Sequence, residues 1–171
     1  MVKILIMVGH YLPGYKSGGA LRTIANMVAH LGGEFEFRII TSDRDFDDDV
    51  PYSNVGINQW NIIGNAHVYY LSPDQRTTSN IGNLISETQH DILYLNSFFD
   101  PVFTICPLLA RLMRKLPHQP IIIAPRGEFS EGAISLKKWK KIGYIVIARL
   151  IGFYRNIVWQ ASSNYEANDI R

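Results

Sequence analysis

Val2-Lys3-Ile4-Leu5-Ile6-Met7-Val8, then His10-Tyr11-Leu12-Pro13-Gly14-Tyr15-Lys16-Ser17-Gly18-Gly19, then the segment 20–31 with Leu21, Ile24, Ala25, Val28 and Leu31, form the passage that decides the fold. The first part is a short apolar run, the pattern of a strand buried on both faces. The last part carries its apolar residues at helical spacing and stops at Gly32-Gly33, where glycine suits a helix end. A glycine-rich loop joins the two, so the passage is one β–α unit.

The same alternation repeats outward along the chain. Further strands are predicted at residues 36–40, 67–71, 92–95, 121–124 and 157–160, and further helices at 78–89, 101–115 and 133–151. Ser163 is placed to cap a last helix starting near Tyr165. The pattern predicts an α/β domain with a mostly parallel sheet, whose ligands bind beyond the carboxyl ends of the strands. Residues 41–58 lack periodicity and include Asp43, Asp45, Asp47, Asp48 and Asp49, which predicts an exposed loop.

At 171 residues, with 47% hydrophobic and 19% charged residues, the chain has the size and composition of one folded domain. Cys106 is the single cysteine, so no intramolecular disulfide can form, and a reducing cytoplasm is the expected compartment. The first apolar run is too short for a signal peptide, and the longest other one, 142–153, is interrupted by Gly143, Tyr144, Arg149 and Gly152. No membrane-spanning segment is expected. A net charge of +2 and the lack of a recognisable binding motif give no reason to expect a nucleic-acid partner.

The loop at Lys16, Ser17, Gly18 and Gly19 opens a helix, so its backbone N–H groups and the helix N-terminus can meet an anion. It lacks both the G-x-G-x-x-G and the G-x-x-x-x-G-K-[ST] spacing. A phosphate cradle and a plain strand-to-helix turn therefore both stand. The aspartates at 43–49 have oxygen ligands for a hard cation, but their order lacks the glycine and terminal glutamate of a calcium loop. A mobile, solvated loop is the favoured reading, and no metal ligand is assigned.

Four segments carry a resemblance. Lys16-Ser17-Gly18-Gly19-Ala20-Leu21 resembles the Lys-x-Gly-Gly loop of GT-B glycosyltransferases. Asp91-Ile92-Leu93-Tyr94-Leu95-Asn96-Ser97 is similar to the family-4 Asp-hydrophobic-hydrophobic-His-x-His-Gly pattern, with Tyr94 and Asn96 where histidines are usual. Ala124-Pro125-Arg126-Gly127-Glu128-Phe129 resembles Pro-[His/Arg]-Gly-Met-Leu, and Ala161-Ser162-Ser163-Asn164-Tyr165-Glu166 resembles the segment that closes the family's N-terminal domain.

The resemblance implies a Rossmann-like three-layer αβα sandwich, one half of a GT-B fold, in which residues 1–171 are the N-terminal, acceptor-side domain. On that resemblance the donor-binding C-terminal domain is expected to lie outside this sequence. The complete enzyme is expected to be a retaining glycosyltransferase that moves a sugar from a nucleotide-sugar donor to a glycan or lipid-linked acceptor, needing neither metal nor cofactor. The present chain alone is expected to transfer no sugar. Two alternatives stay open: a non-catalytic subunit of a split two-chain glycosyltransferase, and a stand-alone nucleotide- or phosphate-binding domain.

Within that frame Lys16, Ser17, Gly18 and Gly19 are implied to face donor diphosphate and acceptor, while His10, Asn96, Ser97, Arg126, Gly127 and Glu128 are candidates for positioning sugar or acceptor. Arg126 can form a bidentate pair with phosphate or carboxylate, and Glu128 can accept hydrogen bonds from sugar hydroxyls, unless the two pair with other residues at the strand end. Asn96 and Ser97 are neutral and suit positioning rather than proton transfer. His10 reads equally as an anchor of the glycine loop. Ser162 and Glu166 are cleft-adjacent, with Ser163 as helix cap and Glu166 as its capping-box partner. No catalytic residue is assigned.

The segment around Lys137, Lys138, Lys140 and Lys141, with Arg149, Arg155, Trp139 and Ile142, supports two readings. One is peripheral contact with an anionic membrane surface. The other, favoured by the spacing of Ile142, Ile145, Val146 and Leu150, is a crossover helix whose apolar side packs on the sheet.

Overall fold

Strand β1 (Val2–Met7) lies in the middle of a seven-stranded sheet and sends alternate side chains into two cores. Leu5 and Met7 enter one core with residues of three helices, and Ile6 and Val8 enter the other with Ile24 and Val28 of helix α1 (Gly19–Leu31). A strand buried on both faces needs helices on both sides, which makes three layers. The computed structural model describes residues 1–135 and 138–171.

After α1 the chain runs through β2 (Phe35–Ser42), β3 (Trp60–Ile63), β4 (Ala66–Leu71), α2 (Thr78–Glu87), β5 (Ile92–Leu95) and α3 (Cys106–Leu112). It continues through β6 (Ile121–Ile123), α4 (Glu131–Ser135), α5 (Lys138–Leu150), β7 (Val158–Trp159) and α6 (Asn164–Ile170). The sheet order is β3-β4-β2-β1-β5-β6-β7. Every pair is parallel except β3 with β4. The Rossmann-like α/β sandwich expected from the sequence is therefore the fold. Helices α2, α3 and α5 supply Ile81, Ile85, Leu108 and Ala148 to the core opposite α1.

Local chemistry sets the helix starts. Thr77 accepts a hydrogen bond from the Asn80 N–H at the head of α2, and Asp100 accepts from Val102 and Phe103 N–H to start the π-helical turn that leads into α3. Ser163 accepts from the Glu166 N–H, as expected of a cap. Gly32 does end α1, but with an ordinary right-handed φ of −63°. Glycine is needed there for close approach: a Cβ would lie 2.5 Å from Asn65 Cβ and 2.8 Å from the Val28 carbonyl oxygen.

Two expectations are corrected and one strand is added. The aperiodic stretch 41–58 is not simply an exposed loop: β2 runs on to Ser42, and Thr41, Ser42, Asp43 and Asp45 are buried. Trp60–Ile63 adds an antiparallel edge strand, turned through Gly64-Asn65 with φ +57° at Gly64. On α5 the side facing the core is Tyr144 and Ala148, with Ile145 half-buried, whereas Ile142, Val146 and Leu150 are exposed. Most of the predicted packing stripe thus points away from the core, because Ala148 and Tyr144 are the side chains that pack there. Lys137 lies outside the described residues. Among those described, no helix is long and apolar enough to cross a membrane.

Candidate functional site

From β1 the chain leaves towards β2 on one side, and β5 begins the run to β6 and β7 on the other. Loops leaving the carboxyl ends of β1 and β5 therefore diverge, and the crevice between them is where such sheets bind ligands. A cleft of about 390 Å³ sits there. Val8, Gly9 and His10 line it from the segment just after β1, Lys16, Ser17 and Ala20 from the glycine loop and α1, and Asn96 and Ser97 from the segment just after β5, with Phe46, Asp100 and Glu128 completing it. A larger groove of about 620 Å³ near α5 and α6 is mostly apolar. We assign the site to the smaller cleft because polar groups from separate loops converge there at the switch point.

Asn96 is the centre of the cleft's polar wall. It is 4% exposed, its Oδ1 accepts from Arg126 Nε at 2.7 Å, and its Nδ2 has no partner. A buried donor left without an acceptor costs free energy that an entering oxygen recovers. Arg126, held at φ +58°, also donates to the Tyr94 hydroxyl at 2.8 Å, and that hydroxyl donates to Gln160 Oε1. Arg126 and Gly127 do not line the cleft; Arg126 engages the Asn96 Oδ1, so the end of the amide without a partner among the described residues is Nδ2. Burial raises the Tyr94 pKa, outweighing the Arg126 charge and hydrogen bond that lower it, so the phenol stays protonated.

The carboxylates nearby act as staples. Glu128 accepts from Ser97 Oγ at 2.7 Å and from the N–H groups of Phe98 at 2.5 Å and Phe99 at 3.1 Å. Both of its oxygens are thus engaged at the strand ends, and its visible work is shaping the 97–99 loop. Glu166 is buried and accepts from Gly127 N–H, Ser162 N–H and Ser162 Oγ. The carboxylate does not return to Ser163, as a capping box requires, but ties α6 to the loop after β6. Burial pushes its pKa up, yet the Ser162 and Gly127 donors with the Arg126 charge outweigh this and leave it lowered. Ser162 and Glu166 lie behind the cleft rather than in it.

The glycine loop is held by a residue of the supposed solvated segment. Asp45 Oδ2 accepts from Tyr15 N–H at 2.8 Å and Lys16 N–H at 3.1 Å, and Oδ1 accepts from Phe46 N–H. Burial opposes its charge, but these three backbone donors prevail and its pKa is lowered. Asp43 is likewise committed, to Arg44 and Arg76 at 2.9 Å each. Among the described residues no three His, Cys, Asp or Glu side chains converge as metal ligands.

Two amides of the loop are therefore spent on Asp45, and the Lys16 ammonium pairs with Asp48. What remains open is the start of α1. A Cβ added at Gly18 or Gly19 would meet nothing within 4 Å, Gly18 gives no side-chain cap, and the first turn holds no acid. His10 Nδ1 lies 3.1 Å from the Arg44 carbonyl oxygen, which can only accept, so Nδ1 carries the proton and Nε2 is uncommitted.

The cleft thus offers a buried neutral donor, an imidazole nitrogen and an uncapped helix start, a set that orients hydroxyls and anionic oxygens. Sequence reasoning missed Asp45, Asp100, Tyr94 and Gln160. Only Asp100, standing before Pro101, had a local signal, that of a helix cap. The chain matches no protein-family model and no curated protein.

Proposed function

We propose that this chain is the acceptor-side half of a GT-B-type glycosyltransferase of the family-4 kind, acting in the cytoplasm on a nucleotide-sugar donor and a glycan or lipid-linked acceptor. The observation that carries the reading is the unpartnered Nδ2 of Asn96, 4% exposed at the rim of a cleft on the sheet's switch point. A sugar or acceptor hydroxyl supplies the missing acceptor atom. Support also comes from how the resembling segments are joined: Asn96, Arg126, Gly127 and Glu166 link three of them through hydrogen bonds or as neighbours, and Lys16 and Ser17 of the fourth line the same cleft as Asn96, Ser97 and Glu128.

In this reading the chain supplies positioning, not proton transfer. Asn96 and His10 Nε2 orient hydroxyls, and the open start of α1 faces the diphosphate that departs, stabilising its charge. The opposing wall, carried by a donor-binding domain, excludes water and grips the nucleotide.

The test is titration of the isotope-labelled chain with glycans and nucleotide sugars, observed by NMR, alongside a transfer assay. The expected result is a shift of the Asn96 side-chain amide with weak binding and no turnover. Turnover by the chain alone would refute the half-site reading. Tight nucleotide binding without a partner would instead favour a stand-alone phosphate-binding domain, for which the uncapped α1 start is the specific observation.

A further inference from the structure

Helix α5 turns its apolar side to solvent. Successive residues are about 100° apart on an α-helix, so Trp139, Ile142, Val146 and Leu150 share a face roughly opposite Tyr144 and Ala148, the core contacts. These four are 87%, 38%, 51% and 80% exposed. Ile147 and Ile151 are exposed too and widen the stripe. In an ordinary crossover helix this side would be polar.

Cations border the stripe on both sides. Lys138 and Arg149 lie along one edge and Lys140 along the other, all exposed. Lys141 is different: its ammonium donates to the Ala133 carbonyl at 2.6 Å and lies 4.8 Å from the centre of the Phe99 ring, so it anchors the helix inward. Residues 132–165 contain six Lys and Arg and no Asp or Glu, although the whole chain is only +2. Positive charge is thus concentrated beside the exposed apolar face.

We propose that α5 is a docking surface for an anionic lipid bilayer, lying flat with Trp139, Ile142, Val146 and Leu150 at the acyl boundary and Lys138, Lys140 and Arg149 at the headgroups. Its 13 residues span about 20 Å, enough to lie in the interface and too little to cross. Lysine and arginine stems let the charges reach the headgroups while the stripe sinks below them. A second copy of this chain is a poorer occupant, since a two-fold contact through this face would bring its cations against their own kind. The inference uses no residue of the cleft and does not depend on the catalytic reading.

The experiment is co-sedimentation of the 171-residue chain with vesicles of phosphatidylcholine alone and of phosphatidylcholine mixed with phosphatidylglycerol. Binding is expected only with the anionic mixture, weakening as salt is raised. Leu150→Ser should reduce the partition coefficient by about tenfold and Lys138→Gln by about fivefold. Both side chains are exposed, so an unchanged melting temperature separates these losses from misfolding. Tryptophan emission should shift to the blue on binding in the parent chain but far less in Trp139→Phe. No sedimentation with anionic vesicles at low salt would overturn the proposal, as would binding indifferent to Leu150→Ser. Self-association abolished by Leu150→Ser, without vesicle binding, would give the face to a second copy; an acidic protein that binds it in place of vesicles would likewise refute the lipid assignment.

Discussion

The carboxyl edge of the sheet and helix α5 break the usual inside–outside rule in opposite ways. At the sheet edge Asp43, Asp45 and Glu166 are charged side chains placed inside, each surrounded by donors. Along α5, Trp139, Val146 and Leu150 are apolar side chains placed outside with nothing over them. The first departure is internally compensated, so it holds loops in position; the second is uncompensated among the described residues, which is the observation behind the proposed docking surface. Removing a staple should therefore damage the fold, and removing a stripe residue should leave it intact.

The sharpest break of that contrast is Glu166→Ala. It leaves the Gly127 and Ser162 amides without their acceptor and should cost about 3 kcal/mol or more, seen as a melting temperature lower by roughly 6–12 °C. A change near zero would mean that water replaces the carboxylate and that no staple exists. Asp45→Asn should cost about 2 kcal/mol, because one neutral acceptor replaces a carboxylate serving three N–H groups, measured by denaturant unfolding.

Acid provides a second view of the same staples. The pKa values of Asp45 and Glu166 are lowered in the fold, so their contribution is fully present above the unfolded values of about 3.9 and 4.3. It is lost as pH falls through the lower, folded values. The denaturation midpoint should therefore be flat with respect to these groups near neutrality and drop in acid, and Asp45→Asn should flatten the acid limb.

Asn96→Asp sharpens the comparison at the cleft. It replaces the orphaned Nδ2 with an acceptor beside Arg126, so stability should change by no more than about 1 kcal/mol. Binding of a ligand through an oxygen that can only accept, such as a diphosphate oxygen of a nucleotide sugar, followed by NMR titration, should weaken about tenfold. The smallest effect is reserved for Leu150→Ser, which should move stability by less than about 0.5 kcal/mol in the same melts.

Legibility in the sequence followed the range of the forces involved. The β1–loop–α1 unit was readable because strand and helix periods are local, and so were Ser163 and the order of the other elements. The 41–58 stretch was misread because its partners are remote: Asp45 holds Tyr15 across 30 positions and Asp43 holds Arg76 across 33. An aspartate bound by backbone donors and one dissolved in water look alike in a sequence. The β3 hairpin had a local sign in Gly64-Asn65 and could have been found. At the site, His10, Lys16, Ser17, Asn96 and Ser97 do meet, but Gly18 and Gly19 do not line the cleft and Arg126 and Gly127 stand behind Asn96, where Arg126 is tied through Tyr94 of β5 to Gln160, just after β7.

The amino-acid order alone determined the β–α alternation, the mostly parallel sheet and the edge of that sheet at which the candidate site was sought, since hydrophobic period and turn chemistry act over a few residues. The apolar stripe of α5 was also visible there as a spacing. Which way the stripe faces, which carboxylates turn inward and which end of the Asn96 amide is left free were decided only in three dimensions. Each depends on the phase of one element against another, set by packing and hydrogen bonds between residues distant along the chain.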